Sequence, residues 1–183
     1  VVFNYSLAAA LKTGPVVLYF FPAAYSEGCS LEAHLFADAM PQFEALGATV
    51  VGVSSDDIDT LSKFSVQACQ GKFPVVSDAG MTITKAFDAA MKTRPEYANR
   101  ISYVIAPSGA VVSHYMSLNP TRHVEKMLGA LRVLPTKGKC RRALMRAKRG
   151  SRCSMTTSSV DRCSERPPSS RRSDSTMKSL PNR

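Results

Sequence analysis

Apolar and polar positions along residues 1–134 follow patterns that predict strands and helices in turn. Residues 16–21 are an unbroken aliphatic and aromatic run, which is typical of a strand buried on both faces. Residues 29–46 then have helical spacing, and within them Pro41 is expected to bend the helix or begin a new one. A second apolar run over 49–54 predicts a second buried strand.

The later elements complete one fold class. They are, in chain order, a helix capped by Asp56 and Asp57 and ending at Gly71, a strand over 73–76, a helix over 83–90, a hairpin of 101–105 with 110–115, and a helix over 122–131. Strands that alternate with helices and end in an antiparallel hairpin predict an α/β fold. We expect a mixed central β-sheet with helices on both faces.

The character of the chain changes after Leu134. Ser, Arg, Lys, Pro and Cys dominate residues 135–183, and the apolar periodicity stops. Such a segment buries too little apolar surface to offset the entropy that is lost on ordering. We therefore predict one domain over 1–134 and a basic, Ser/Arg-rich disordered tail over 135–183.

Charge is distributed unevenly between these two segments. The whole chain has a formal charge of +10, from 24 Lys and Arg against 14 Asp and Glu. Residues 1–134 hold 10 of the basic and 11 of the acidic side chains, so the excess positive charge lies in the tail. A nucleic-acid partner is therefore not expected for the domain. The tail could bind RNA or acidic lipid by charge alone, be merely solvated, or have no selected role.

Composition also limits the expected cellular location and the expected cofactors and metals. No apolar run is as long as a membrane span, and no secretion signal opens the chain. The 5 cysteines do not form a disulfide framework, so we expect a reducing, cytoplasmic location. We expect no cofactor, since the glycines follow no G-x-G-x-x-G or P-loop pattern. No metal site is expected, because neither group of candidate ligands has a familiar zinc spacing: His34, His114 and His123 with Cys29, or Cys140, Cys153 and Cys163.

One cysteine occupies a position that favours chemistry. Cys29 follows the first buried strand and Pro22, at the point where the long helix begins. Unpaired N–H groups and the positive end of the helix dipole favour the thiolate, which is the nucleophilic form of cysteine. The hydroxyl of Ser26 is placed to reach the sulfur or a substrate. The alternative interpretation is an inert cysteine buried in a packed helix.

The residues around Cys29 resemble those of a known family. The stretch FFPAAYSEGCSLEA, residues 20–33, resembles the P-x3-(T/S)-x2-C signature of the peroxiredoxins and is similar to the PrxQ (bacterioferritin comigratory protein) subfamily. The likeness continues through 52–54, 73–78 and 100–109 and covers about residues 3–132. It implies a thioredoxin-like fold and a thiol-dependent reduction of hydrogen peroxide and organic hydroperoxides. The sulfenic acid that results would be recycled by thioredoxin or a glutaredoxin-type reductant.

The resemblance also implies roles for individual residues. Cys29 matches the peroxidatic cysteine, and Ser26 matches the residue that hydrogen-bonds the peroxide. Pro22 matches the residue that shields the thiolate, and Arg100 matches the arginine that holds the thiolate and polarises the O–O bond. Glu32 also matches the subfamily, and we expect it to organise the helix or loop rather than to act as an acid or base.

This sequence departs from the subfamily near Cys29. Many members have a resolving cysteine five residues after the peroxidatic one, where this chain has His34. Glu27 replaces the usual proline, and its carboxylate would oppose thiolate formation unless it points into solvent. Other members place the resolving cysteine in the helix after the second strand, which makes Cys69 the expected resolving residue. An idle buried cysteine is the alternative.

Two further expectations follow from the resemblance. The chain begins later than family members do, so we expect it to be N-terminally truncated and to lack their first strand. We expect a monomer or weak dimer. The alternative function is a non-catalytic thioredoxin-fold module whose basic tail binds polyanions.

Overall fold

The computed structural model describes residues 3–134, and the predictions for Val1, Val2 and the tail over 135–183 lie outside the described residues. Its helices are α1 (Leu7–Thr13), α2 (Glu27–Ala45), α3 (Ile58–Gln67), α4 (Thr82–Ala86) and α5 (His123–Val133), with a 3₁₀ turn over Pro120–Arg122 before α5. Its strands are β1 (Val16–Phe20), β2 (Thr49–Ser54), β3 (Val75–Ser77), β4 (Ile101–Ile105) and β5 (Val111–Met116).

The five strands form one mixed sheet in the order β3-β2-β1-β4-β5. The central strand β1 runs parallel to β2 and antiparallel to β4, so that Leu18 pairs with Val51 on one side and Tyr103 on the other. All residues of β1 are buried, as its unbroken apolar sequence predicts. The predicted α/β fold with a mixed sheet is confirmed.

Side chains of β1 alternate between two separate cores. Val17 and Tyr19 belong to a core cluster that includes buried residues of α2, α3 and α5. Val16, Leu18 and Phe20 belong to a second cluster on the opposite face, against which residues of α1 pack. Helices therefore cover both faces of the sheet, as predicted.

Elements β3 and α4 differ from the sequence-based prediction, and one of the two outcomes expected at Pro41 is excluded. Pro41 lies inside a continuous α2 and does not begin a new helix. The strand predicted over 73–76 starts later, because Pro74 has no N–H and contributes only its carbonyl, which accepts from Gly52 N at 3.1 Å. Helix α4 is shorter than predicted, and Asp88, at φ 52°, has left the helical conformation shortly after its end.

Candidate active site

Cys29 lies beyond the end of the central strand β1, in the helix that follows it. Phe21 still bonds to β2, since its N–H donates to Val53 O at 3.1 Å, and the chain then turns through a loop in which Tyr25 adopts φ 63°. Ser26 is the residue before the first helical residue of α2, and Cys29 lies in the first turn. The sulfur-bearing side chain is only 1% exposed. Cys29 thus combines burial with the unpaired N–H groups of a helix start.

The loop before α2, residues 21–26, is fixed by an acidic side chain from the next crossover. Asp56 Oδ2 accepts hydrogen bonds from Ala24 N and from Ser54 Oγ, each at 2.7 Å. The ring of Tyr25 packs edge-on against Phe64 of α3, with centroids 5.4 Å apart. The loop therefore depends on β2 and α3 for its conformation.

Arg100 reaches Cys29 through the pairing of β1 with β4. Phe20 pairs with Ile101, so Arg100 lies just beyond the end of β1, where α2 begins. Its Nη2 donates to Cys29 Sγ at 3.2 Å, and its Nη1 donates to the Gly28 carbonyl at 3.2 Å. The sulfur therefore lies against a permanently charged donor.

Gly28 allows this close approach. A Cβ atom at position 28 would lie 3.0 Å from Arg100 Nη2, which is tighter than ordinary packing. The absence of a side chain at this position therefore lets the guanidinium lie against the first turn of α2.

Glu32, one turn after Cys29, shares the same guanidinium. Its carboxylate is fully buried, and Oε2 accepts a hydrogen bond from Arg100 Nη1. Burial raises the pKa of Glu32 to about 7, although the neighbouring Arg100 opposes this shift. Arg100 therefore donates hydrogen bonds both to the sulfur of Cys29 and to the carboxyl group of Glu32.

His123 is a member of this site that the sequence analysis considered only as a metal ligand. Its ring is fully buried, with Nδ1 2.8 Å from Ser102 Oγ and 3.4 Å from Glu32 Oε1. One sequence signal could have found it: positions 123, 127 and 131 share one face of α5, and Met127 and Leu131 are core residues. A histidine on that stripe has to be buried.

Two other predicted site residues lie in the loop over 21–26, and among residues 3–134 neither bonds to Cys29. Pro22 is half-buried and follows the buried Phe21. Ser26 is exposed, and its hydroxyl donates to Ala23 O at 3.2 Å; within residues 3–134 it makes no hydrogen bond to the sulfur. Glu27 is exposed, so its carboxylate points into solvent.

Cys69 is a free thiol in the turn that follows α3. It is completely buried and belongs to the same core cluster as Cys29 and Tyr19. Burial raises the pKa of the Cys69 thiol to about 12. The turn continues through Gln70 at φ 55° and Gly71 at φ 65°, so a residue with a side chain adopts the left-handed region there.

The described part of the chain contains neither a cluster of metal ligands nor a helix that could span a membrane. Among residues 3–134, no three His, Cys, Asp or Glu side chains are grouped so that they could hold a metal ion, and His34 is exposed on α2. No helix of those residues has the length and hydrophobicity that crossing a bilayer requires.

A mixed sheet with helices on both faces, and a cysteine in the first helical turn after its central strand, define a protein of the thioredoxin-like class. The guanidinium of Arg100 lies 3.2 Å from the sulfur of that cysteine. Residues 3–114 match the model of the AhpC/TSA family. The chain therefore belongs to this family, the peroxiredoxins, and the predicted resemblance is confirmed.

Individual relatives agree with this assignment. The chain is 30% identical to peroxiredoxin Bcp of Xanthomonas campestris over 124 residues, which cover 64% of this chain and 76% of the relative. It is 32% identical over 124 residues to the chloroplastic peroxiredoxin Q of Populus jackii, covering 67% of this chain and 58% of the relative.

Solved structures agree at the level of the fold and the sequence. Peroxidoxin BcpB of Mycobacterium tuberculosis superimposes with a TM-score of 0.65 and 31% identity, covering 71% of this chain and 86% of that chain. The bacterioferritin comigratory protein of Xanthomonas campestris gives a TM-score of 0.62 and 29% identity, covering 68% and 82%. Membership of the family implies thiol peroxidase activity.

Proposed function

We propose that this chain reduces hydrogen peroxide and organic hydroperoxides, with Cys29 as the peroxidatic residue. The observation that carries the proposal is the 3.2 Å contact between Arg100 Nη2 and Cys29 Sγ at the start of α2. The bacterioferritin comigratory protein of Xanthomonas campestris is described as having alkyl peroxide reduction activity. This supports organic hydroperoxides as substrates alongside hydrogen peroxide.

The proposed reaction balances as a two-electron transfer. The Cys29 thiolate attacks the terminal peroxide oxygen, an S–O bond forms and the O–O bond breaks. Sulfur is oxidised to a sulfenic acid, and the departing water or alcohol oxygen takes up one proton. Arg100 stabilises the negative charge first on sulfur and then on the breaking O–O bond. Ser26 and Pro22 are proposed to orient the peroxide and to shield the thiolate, since both lie in the loop that leads to Cys29.

Replacing the nucleophile tests this proposal. We expect Cys29→Ser to abolish peroxide consumption by the reduced protein, because a serine hydroxyl does not ionise at neutral pH. Stopped-flow measurement of hydrogen peroxide and of an alkyl hydroperoxide gives the rate, and circular dichroism checks the fold. Cys140→Ser is the matched control and should keep the wild-type rate. Turnover above a few per cent of wild type in Cys29→Ser would refute the assignment.

Cys69 is proposed to resolve the sulfenic acid. While it is buried with a pKa of about 12, almost none of it is thiolate at neutral pH. Exposure would return the pKa toward the ordinary cysteine value and increase the thiolate fraction by roughly a thousandfold. The turn at Gln70 and Gly71 is a place where α3 could open, since it contains a residue at positive φ. The proposed disulfide would form only after such local opening.

We expect one equivalent of peroxide to produce a Cys29–Cys69 disulfide. Non-reducing peptide mass spectrometry would detect the linked peptides, and Cys69→Ser is the variant in which they cannot form. A persistent Cys29 sulfenic acid with Cys69 free would contradict this role. A link to Cys140, Cys153 or Cys163 would assign resolution to residues 135–183 instead.

Thioredoxin or a glutaredoxin-type protein is the proposed reductant, because either attacks an accessible disulfide by thiol exchange. The cytoplasmic location and the monomer or weak dimer remain predictions. Reduction of the oxidised protein by each of the two purified reductants, followed by non-reducing electrophoresis, would decide between them.

A further inference from the structure

A second set of polar side chains connects to Arg100 through Nη1, the guanidinium nitrogen that does not bond to the sulfur. Glu32 of α2 and His123 of α5 are both fully buried, and Glu32 Oε1 lies 3.4 Å from His123 Nδ1. The opposite carboxyl oxygen, Oε2, accepts from Arg100 Nη1. Within residues 3–134, Oε1 itself has no hydrogen-bond partner. A buried carboxyl oxygen in that state is unfavourable unless a proton lies on it or faces it.

The surroundings of His123 determine which of its ring nitrogens carries a proton. Nε2 lies 3.0 Å from the Ser117 carbonyl, which can only accept, so Nε2 carries hydrogen. In a neutral ring Nδ1 is then an acceptor, and it receives a hydrogen bond from Ser102 Oγ at 2.8 Å. An ionised Glu32 would consequently turn a carboxylate oxygen toward a ring lone pair. One additional proton between Oε1 and Nδ1 removes this repulsion, whichever of the two atoms holds it.

We propose that Glu32 and His123 share one buried proton at neutral pH, and that this proton determines how much of the Arg100 charge is available to Cys29. With the proton present, Arg100 carries the excess positive charge of the group and pairs with the thiolate. Without it, Glu32 is a full anion that competes with the sulfur for the same guanidinium. His123 is thus a positioning residue that acts on Cys29 through Glu32 and Arg100. The inference rests on the proposed role of Cys29 as the reactive thiol.

All groups that face the pair fit this assignment. Glu32 is faced by Arg100 beside β4 and by His123 of α5, and Cys29 of its own helix bonds to the same guanidinium. Tyr19 of β1 also lies close, but burial raises its pKa well above the ordinary value, so it stays neutral. His123 is otherwise surrounded by Ser102, the Ser117 carbonyl and the ring of Tyr115, whose centroid lies 4.9 Å away.

The directions of the pKa shifts agree with one shared proton. Burial raises the pKa of Glu32 to about 7, so its carboxyl group holds a proton further into the neutral range than usual. Burial and the positive charge of Arg100 lower the pKa of His123, which disfavours a second proton on the pair. Thiolate formation at Cys29 should in turn strengthen proton binding by the pair, because coupling between sites is reciprocal.

The first test compares thiolate titrations, read by ultraviolet absorbance in a background where Cys69, Cys140, Cys153 and Cys163 are all replaced by Ser, so that Cys29 is the one remaining thiol. His123→Phe keeps the site buried but removes the ring nitrogen that faces the shared proton 3.4 Å from Oε1. Glu32 should then bind that proton less tightly and compete for Arg100, so we expect the midpoint of Cys29 ionisation to rise by about one pH unit. Glu32→Gln cannot ionise, so its midpoint should lie at or below that of the parent. Adding His123→Phe to Glu32→Gln should then change nothing. His114→Phe is the matched control, because it makes the same change at an exposed histidine.

The double variant separates the proposal from a structural role for His123. An equal shift from His123→Phe with and without Glu32→Gln would overturn the proposal, as would no shift in either background. If His123→Phe fails to fold, NMR titration of the His123 ring in reduced parent and in Cys29→Ser replaces it. We expect the ring signal to titrate about one pH unit lower in Cys29→Ser, and identical midpoints would overturn the proposal. Neither measurement uses peroxide, so a failure of the peroxidase assignment would be seen separately.

Discussion

At the scale of single residues, the central feature of the site is that the guanidinium of Arg100 donates hydrogen bonds to three different acceptors. Arg100 donates to Cys29 Sγ, to the Gly28 carbonyl and to Glu32 Oε2. The guanidinium is planar and permanently charged, so its N–H donors have a fixed geometry that the freely rotating donors of a lysine ammonium lack. The contacts around Cys29 therefore depend on the geometry of Arg100 as well as on its charge.

We expect Arg100→Met to slow peroxide attack by about 10²-fold, because a charge-stabilising donor at the reacting sulfur is lost. Arg100→Lys is the matched control, since it keeps the charge but loses the fork, and it should fall between wild type and Arg100→Met. Single-turnover rates across a range of pH would show whether the loss comes from fewer thiolates or a slower attack. Equal rates for all three proteins would mean that Arg100 has only a structural role.

At the scale of elements, the loop over 21–26 is attached to the β2–α3 connection. Asp56 follows β2 and binds Ala24 N and Ser54 Oγ with one carboxylate oxygen, while Ser77 Oγ of β3 donates to its backbone carbonyl at 2.6 Å. Tyr25 adds a ring contact with α3. The loop that leads to Cys29 and the helix that leads to Cys69 are therefore mechanically connected.

We expect Asp56→Ala to lower the free energy of unfolding by about 1–3 kcal/mol, because two donors would lose their acceptor. It should also reduce the rate at which Cys29 reacts with peroxide, since Ala24 is no longer held. Asp57→Ala is the control, because Asp57 caps α3: its Oδ1 accepts a hydrogen bond from Thr60 N at 2.8 Å. Urea unfolding and single-turnover kinetics would measure the two effects. A reaction rate that changes equally in both variants would contradict a specific role for Asp56.

At the scale of the whole molecule, the domain carries an ionisable cluster inside one of its two cores. Glu32, Arg100, Ser102 and His123 are buried between the sheet and the helices α2 and α5. Such groups make folding depend on pH, because they bind protons differently in the folded and unfolded states. Glu32 should dominate in the neutral range, since its pKa rises from 4.5 when unfolded to about 7 when folded.

We expect the stability of wild type relative to Glu32→Gln to fall as the pH rises from about 4.5 to 7. Over this range the folded state holds more protons at Glu32 than the unfolded state does, so raising the pH favours unfolding, by on the order of 3 kcal/mol in total. Urea unfolding at several pH values measures the difference. His123 contributes in the opposite sense, because its lowered pKa makes the folded state less stable as the pH falls below about 6.5. A difference that does not change with pH would contradict the raised pKa of Glu32.

The sequence alone determined those strands, helices and turns whose formation depends on residues adjacent in the chain. The buried β1, the helix after it and the position of Cys29 between them follow from local composition and spacing, and the antiparallel hairpin follows from its turn. The resemblance to peroxiredoxins predicted Arg100 by its place before a strand. The boundaries of β3 and α4 were less accurate, because Pro74 and the left-handed Asp88 act through backbone bonds and dihedral angles that hydrophobic spacing does not report.

Only the tertiary structure decided which side chains meet. The register of β1 with β4 brings Arg100 to within 3.2 Å of a sulfur 71 positions earlier in the chain. The packing of α5 against α2 brings His123 to Glu32, two residues that the sequence suggested as an unlikely metal ligand and a helix organiser. Burial of Cys69, which raises its pKa, likewise depends on how α3 lies against the sheet. These contacts join residues distant in sequence, and their electrostatics depend on exclusion of water, which no local pattern records.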